Sequence, residues 1–371
     1  MISLVLALVS QVTLESSQLR KILPNNSNYF LEKRKSSYTS VQLILSSKGI
    51  PSSIDAPGYR HLIEHVVVRS KSGHDEELET KGALLKAATD RDWMRFEWRV
   101  PNEEIGLALE GVQSFLQFNT FEPEVLTRES KIIGLESRDQ HEVTLAVENL
   151  WESFFGRSGI ATMGDGNVLS KVKPDELGLL WNSLTMSQRV TISVSGDIDS
   201  KSVEERVKAI LSNLPSGKTS SNAYNWDQRQ LHLEIASNDD KIGVIPVGPI
   251  NLKRTAASLV AGLGMSSKLR SPVFEYQPSM RGGIIVFYSK EMTPIKEQLR
   301  GEDRATLYEL GKRFATGWVF AKQSSASESA TFNGILLSLD PALTPGKILE
   351  AVNFTSYSDV KRIIDSVVDT R

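Results

Sequence analysis

The chain contains no cysteine. Disulfides, thiolate metal sites and cysteine nucleophiles are excluded together, so any metal must rest on His, Asp or Glu. Histidine is scarce too, with five in 371 residues. Beyond the N-terminus no segment stays apolar for the roughly 20 residues that a membrane-spanning helix takes. Neither sign of charge dominates: 43 basic and 45 acidic side chains leave a formal net charge of -2. A nucleic acid or an anionic membrane needs a basic face, and the composition supplies none. The opening run MISLVLALVSQVTLESS has the length of a signal-peptide core and is too short to span a bilayer, although no Lys or Arg precedes it. Residues 1–16 are accordingly expected to be a signal peptide, which would place the chain in the periplasm or outside the cell. The alternative is an N-terminal strand in a cytoplasmic protein.

An apolar share of 40% and a charged share of 24% are those of a soluble globular chain, and its length suggests two or three units of about 150 residues. YTSVQLILSS, 38–47, alternates as a half-buried strand does; KGIPSSIDAPG, 48–58, is loop chemistry; a helix carrying His61 follows. LLKAATDRDWMRFEWRVP, 84–101, reads as one or two strands stopped by Pro101. Residues 102–118 and 122–155 are helical in pattern, with Pro123 suited to a first turn. RVTISVSGDID is a strand and turn, and SKSVEERVKAILSNL a helix halted at Pro215. Further strands are expected near 231–247 and 282–289, and helices near 253–263, 303–322 and 357–369. The small polar stretch from Pro215 to Asn225 is the best linker. Two α+β halves follow, 17–215 and 227–371, joined by 216–226. No fixed-period repeat aligns them.

His61-Leu-Ile-Glu64-His65 holds two of the five histidines. Four positions apart on a helix lie on one face, so both imidazoles can reach one ion. A catalytic zinc takes three protein ligands and keeps a fourth position for water. The helix LTRESKIIGLESRDQ offers the third, because Glu129 and Glu136 are two turns apart on one face. One could ligate while the other steadies an imidazole from behind. Zinc lowers the pKa of water towards about 7 and polarises a carbonyl; Glu64 would take the proton and pass it to the leaving amine. The alternative is a polar stripe on a solvated helix, and His-x-x-Glu-His alone does not decide between them.

Five segments in chain order give this motif a context: ILPNN at 22–26, APGYRHLIEH at 56–65, ETKGALLKAATDRDWMRF at 79–96, FEPEVLTRESKIIGLE at 121–136 and VTISVSGDID at 190–199. Together they resemble the pitrilysin family, which includes insulinase and the mitochondrial processing peptidases. The resemblance runs through residues 19–215. It implies an α+β fold of two related halves, each a mainly antiparallel sheet packed with helices, forming half of a clamshell. It also implies one zinc ion per chain held by His61, His65 and Glu136, with Glu64 as base and Glu129 behind a ligand. His74, His141 and His232 match nothing in the family pattern. Lys86 stands where the family has Asn, Arg69 where an aromatic is common, and the interval from His65 to Glu136 is short.

The resemblance further implies that a peptide substrate pairs as an added strand with the edge formed by Leu85, Lys86, Ala87, Ala88 and Thr89, a mode that gives affinity with little sequence preference. LGMSSKL, 263–269, is similar to a turn of the family's second half. Downstream of it the family has an Arg and a Tyr that reach the substrate; Arg270 and Tyr276 are the nearest equivalents, with Arg281 and Tyr288 as rivals. Chains of this length in the family pair with an identical or a related subunit. The activity implied is that of a zinc endopeptidase for small or unfolded peptides. The competing class is a binding or assembly subunit of the same fold that lacks catalysis, or an active subunit that requires a different partner.

Overall fold

The computed structural model describes residues 17–69, 73–139, 142–155, 162–217, 242–248, 250–269, 272–280, 283–289 and 295–368. Residues 1–16, 218–226 of the expected linker and 231–241 of the expected strand lie outside them.

The strands are β1 Ser17–Ile22, β2 Asn28–Lys33, β3 Thr39–Ser46, β4 Leu84–Thr89, β5 Trp93–Val100, β6 Val190–Gly196, β7 Ile242–Gly248, β8 Pro272–Gln277 and β9 Gly283–Ser289. The helices are α1 Tyr59–Arg69, α2 Gly73–Thr80, α3 Ile105–Leu116, α4 Pro123–Arg138, α5 Glu142–Phe155, α6 Gly166–Leu169 and α7 Pro174–Leu184. They continue with α8 Ser200–Ser212, α9 Leu252–Ser266, α10 Ile295–Leu299, α11 Arg304–Ala321, α12 Ala326–Leu339, α13 Pro345–Asn353 and α14 Tyr357–Val368.

β1 to β6 form one sheet in the order β1-β2-β6-β3-β5-β4, and β7 to β9 a second in the order β7-β9-β8. Among the described residues, only β2 and β6 pair in parallel. The expected α+β architecture with mainly antiparallel sheets is what the chain adopts. Two expectations need correction. ILPNN, similar to what is an entry strand in the family, is a turn after Ile22: Leu23 and Ser27 close a tight reversal between β1 and β2, with Asn26 at φ 65°, because Pro24 and two asparagines suit a reversal better than a ladder. The helical pattern of 122–155 belongs to two helices, α4 and α5.

One face of the large sheet is apolar. Met94, Phe96, Trp98 and Val100 alternate on β5 and meet Leu43, Ile192, Phe115, Trp181 and Leu211 in one core, as a strand with a period of two dictates. α1 rests on this core through Leu62, Ile63, Val66 and Val67, which leaves the face with His61 and His65 turned towards α4. The opposite face of the sheet lies under α12, a helix of the second half. Gln42 donates to the Ser327 carbonyl (3.2 Å) and Thr331 Oγ1 (2.9 Å), and Ser193 Oγ to the Ala330 carbonyl (2.6 Å). The lending is mutual: Val147 and Trp151 of α5 pack on Ile242, Val244, Ile284 and Val286 of the small sheet. Its other face is covered by α9, on which α11, α13 and α14 pack in turn.

Candidate metal centre and active site

α1 begins at a point fixed by its own second residue. The Arg60 side chain is buried at 3% exposure and pairs with Asp55 (3.0 Å). Its other nitrogens donate to the carbonyls of Asp90, Arg91 and Trp93, in the turn that follows β4. The histidine helix and the edge strand are thus bolted together immediately beside His61. Arg60 carries no role in the family pattern above, and the signal that could have marked it is a long cation placed on the apolar side of a helix.

From this anchored helix His61 Nε2 and His65 Nε2 both point at Glu136 Oε2 of α4, at 3.7 and 3.6 Å. Their donor atoms lie within 4.8 Å of one another. Three donors held about 2.0–2.1 Å from one ion in a tetrahedral site lie roughly 3.3 Å apart, so the two edges to Glu136 need shifts of a few tenths of an ångström and the edge between the histidines at most about 1.5 Å, within reach of side-chain rotation. Two imidazoles and one carboxylate are also a donor set that zinc uses in catalytic sites. The residues fit the ion.

His61 is pushed down to about 4, chiefly by burial and then by the neighbouring His65, while the nearby Met163 backbone pulls the other way. At neutral pH it is the uncharged ring, the form that binds metal. His65 Nδ1 lies 3.2 Å from Glu129 Oε2, and Glu129, at 1% exposure, also takes 2.9 Å from Arg128 Nε. That contact orients the His65 ring so that its Nε2 faces Glu136. Glu64 accepts from the Thr89 hydroxyl at the end of β4. Burial raises its carboxyl above the ordinary value, against the pull of Thr89 and His65. The sequence marks Thr89 only as edge backbone; the structure gives its hydroxyl to Glu64.

β4 is the terminal strand of the large sheet. Leu85 and Ala87 turn towards the apolar core, while Lys86 is exposed on the other face, opposite Glu97 in the ladder. Arg270 and Arg281 lie outside the described residues, as do His141 and His232 and the His74 side chain. Tyr276 is half-buried beside Trp318, in a cleft of about 300 Å³ that Asp90, Arg95, Arg99 and Phe332 also line. Burial pushes its hydroxyl up to about 12. Tyr288 packs instead with Trp151 and Ile242. Of the two tyrosines, only Tyr276 opens towards the turn after the edge strand.

Residues 52–163, which span His61, Glu64, His65, Glu129 and Glu136, match the sequence profile of insulinase, peptidase family M16. That stretch of the chain therefore carries the family's sequence pattern. A curated relative, a mitochondrial-processing peptidase subunit beta of Arabidopsis thaliana, is 23% identical over 207 residues. That match covers 53% of this chain and 39% of the relative, so the chain spans about two fifths of the length of the curated protein it matches. Among solved structures, an M16-like peptidase from Alicyclobacillus acidocaldarius superposes with a TM-score of 0.74 at 12% identity, covering 96% of both chains. A protease from Helicobacter pylori gives 0.73 at 12% identity, over 95% of this chain and 96% of that one. At such identities these structures show the shared fold.

Proposed function

We propose that this chain is a member of the M16 peptidase family and a zinc-dependent endopeptidase that hydrolyses small or unfolded peptides. The observation that carries the reading is the convergence of His61 Nε2 and His65 Nε2 on one oxygen of Glu136, with the Glu64 carboxylate held beside them by Thr89.

His61, His65 and Glu136 would hold the ion, which supplies polarisation of the scissile carbonyl and a water acidic enough to lose its proton near neutral pH. Everything else is done by the chain. Glu64 takes that proton and delivers it to the leaving amine, a transfer suited to a carboxyl whose affinity for protons burial has raised. Glu129 keeps the His65 ring from turning. Arg60 and Thr89 hold the edge strand at a fixed height above Glu64. A peptide lying along β4 would pair with its free main chain and so bring successive carbonyls past the ion. Tyr276 stands in the cleft behind that strand. The curated relative is a named subunit, which supports assembly with a second copy or a related chain.

The test is bound zinc and cleavage of a mixture of unstructured peptides, for the wild type and for Glu64→Gln. The substitution keeps the ligands and removes the base, so zinc content is expected to stay while kcat falls by about 10²- to 10⁴-fold. Zinc bound with no cleavage by the wild type would favour a binding subunit or one that needs a partner. Absence of zinc binding would refute the metal centre.

A further inference from the structure

The ligands come from two helices, and a third segment rests on both. Residues 163–166 run from the start of α1 to the middle of α4. The Met163 backbone faces the His61 ring. Gly164 lies against Gly58, the residue just before α1; both have positive φ, +75° and +78°, and a Cβ on either would come within 2.6 Å of the other's Cα. Two residues on, Gly166 lies against Gly134 of α4. A Cβ at Gly166 would meet the Gly134 Cα at 2.7 Å and the Ser130 carbonyl at 3.0 Å. Asp165, between the two glycines, accepts the Asn167 N–H and so fixes the start of α6.

Each contact is backbone on backbone, and the bridge between them is two residues of chain, which reaches at most about 7 Å. Side chains can turn to absorb a strain, whereas touching main chains cannot. The separation between the helix with His61 and His65 and the helix with Glu136 is therefore set by this segment. We propose that residues 163–166 are a spacer that positions Glu136 against the histidine pair and so sets the strength of metal binding. The inference rests on the zinc reading above. It goes beyond it by giving a role to residues that ligate nothing.

The geometry supplies its own control. A methyl on Gly134 would meet the Gly166 Cα at 3.5 Å, an ordinary contact, although it lies at the same crossing. Gly166→Ala should push the helices apart where Gly134→Ala should not. The experiment uses the full chain freed of metal, with zinc titrated against a chelator of known affinity and the melting temperature of the metal-free protein measured in parallel. Leu211→Ala, a core truncation in α8, provides a variant destabilised away from the site.

Gly166→Ala is expected to weaken zinc binding by about 10- to 100-fold, the range for groups that support ligands. Gly134→Ala and Leu211→Ala should leave it unchanged. If Gly166→Ala does not fold, Gly134→Val presses on the same contact from the helix side and should show the same weakening. Unchanged zinc affinity in Gly166→Ala or Gly134→Val, or equal weakening in Leu211→Ala, reduces the segment to ordinary packing and overturns the spacer while leaving the zinc reading intact. A wild-type protein that binds no zinc overturns both.

Discussion

The two faces of β5 are covered alike and held by different forces. Met94, Phe96, Trp98 and Val100 sit in a continuous apolar core. Arg95, Glu97 and Arg99, on the other side, sit under α12 in a polar network. Glu97, at 0% exposure, takes 3.2 Å from Arg95 Nη1, 2.9 Å from Arg99 Nε and 2.9 Å from Ser40 Oγ. Arg95 and Arg99 then reach Thr331 and Ser327 of α12. The site helices rest on the apolar face, and the second half is received by the polar one. Apolar packing tolerates no loss of volume, whereas a buried network tolerates no loss of a partner.

The largest expected effect is on the apolar face. Phe96→Ala empties a site bounded by the rings of Phe115 and Trp181 and should cost about 3–5 kcal/mol in chemical denaturation. Every element of the first half should loosen together, α1 included. Glu97→Ala should cost somewhat less, about 3 kcal/mol, because it leaves two guanidinium groups without their shared carboxylate. Its loss should be local: amide exchange is expected to rise in α12 while α1 stays protected. Equal loosening of both helices would show that the two faces are not distinct.

The smallest effect concerns pH, where the two buried carboxyls at this seam have opposite signs. Burial acts against ionisation of Glu97, but Arg99, Ser327, Arg95 and Ser40 outweigh it and hold the carboxyl below its ordinary value. Its contribution is present above the ordinary glutamate range and is lost as pH falls through the lower folded value. Burial pushes Asp90, at the open end of the same seam, up to about 6, against the pull of the Arg91 N–H. Its proton is held more tightly in the folded protein, so stability declines as pH rises from the ordinary aspartate range through about 6. Asp90→Asn should remove that decline. Melting temperatures taken stepwise across this window should climb more steeply with pH in the variant than in the wild type, and parallel curves would contradict the assignment.

These contrasts explain what could be read from the sequence. The alternation of WMRFEWRV marks β5 and its core face, but does not say what its arginines face. Nothing in a period of two separates a charge facing water from one facing a serine-rich helix. α12, ASESATFNGILLSL, is buried on the large sheet through Ser, Thr, Asn and Gly, and so lacks the apolar stripe that would announce it. The histidine pair was legible because helix geometry puts residues four apart on one face. Glu136 needed the family resemblance, since its distance from the histidines is tertiary. Residues 163–166 left no trace, because contacts between glycine backbones have no side-chain pattern to carry them. In the second half, the Arg/Tyr pair stays open for the same reason: spacing makes Tyr276 the nearest equivalent and Tyr288 a rival, and says nothing of what lies beside either ring.

The exchange of helices has a consequence for how this chain comes into being. α12 covers the sheet of β1 to β6, and α5 covers that of β7 to β9. A gene divided between Gly217 and Ile242 would encode two unfinished templates, each with one bare side until the other arrived. Assembly of the halves is then a step within folding rather than one that follows it.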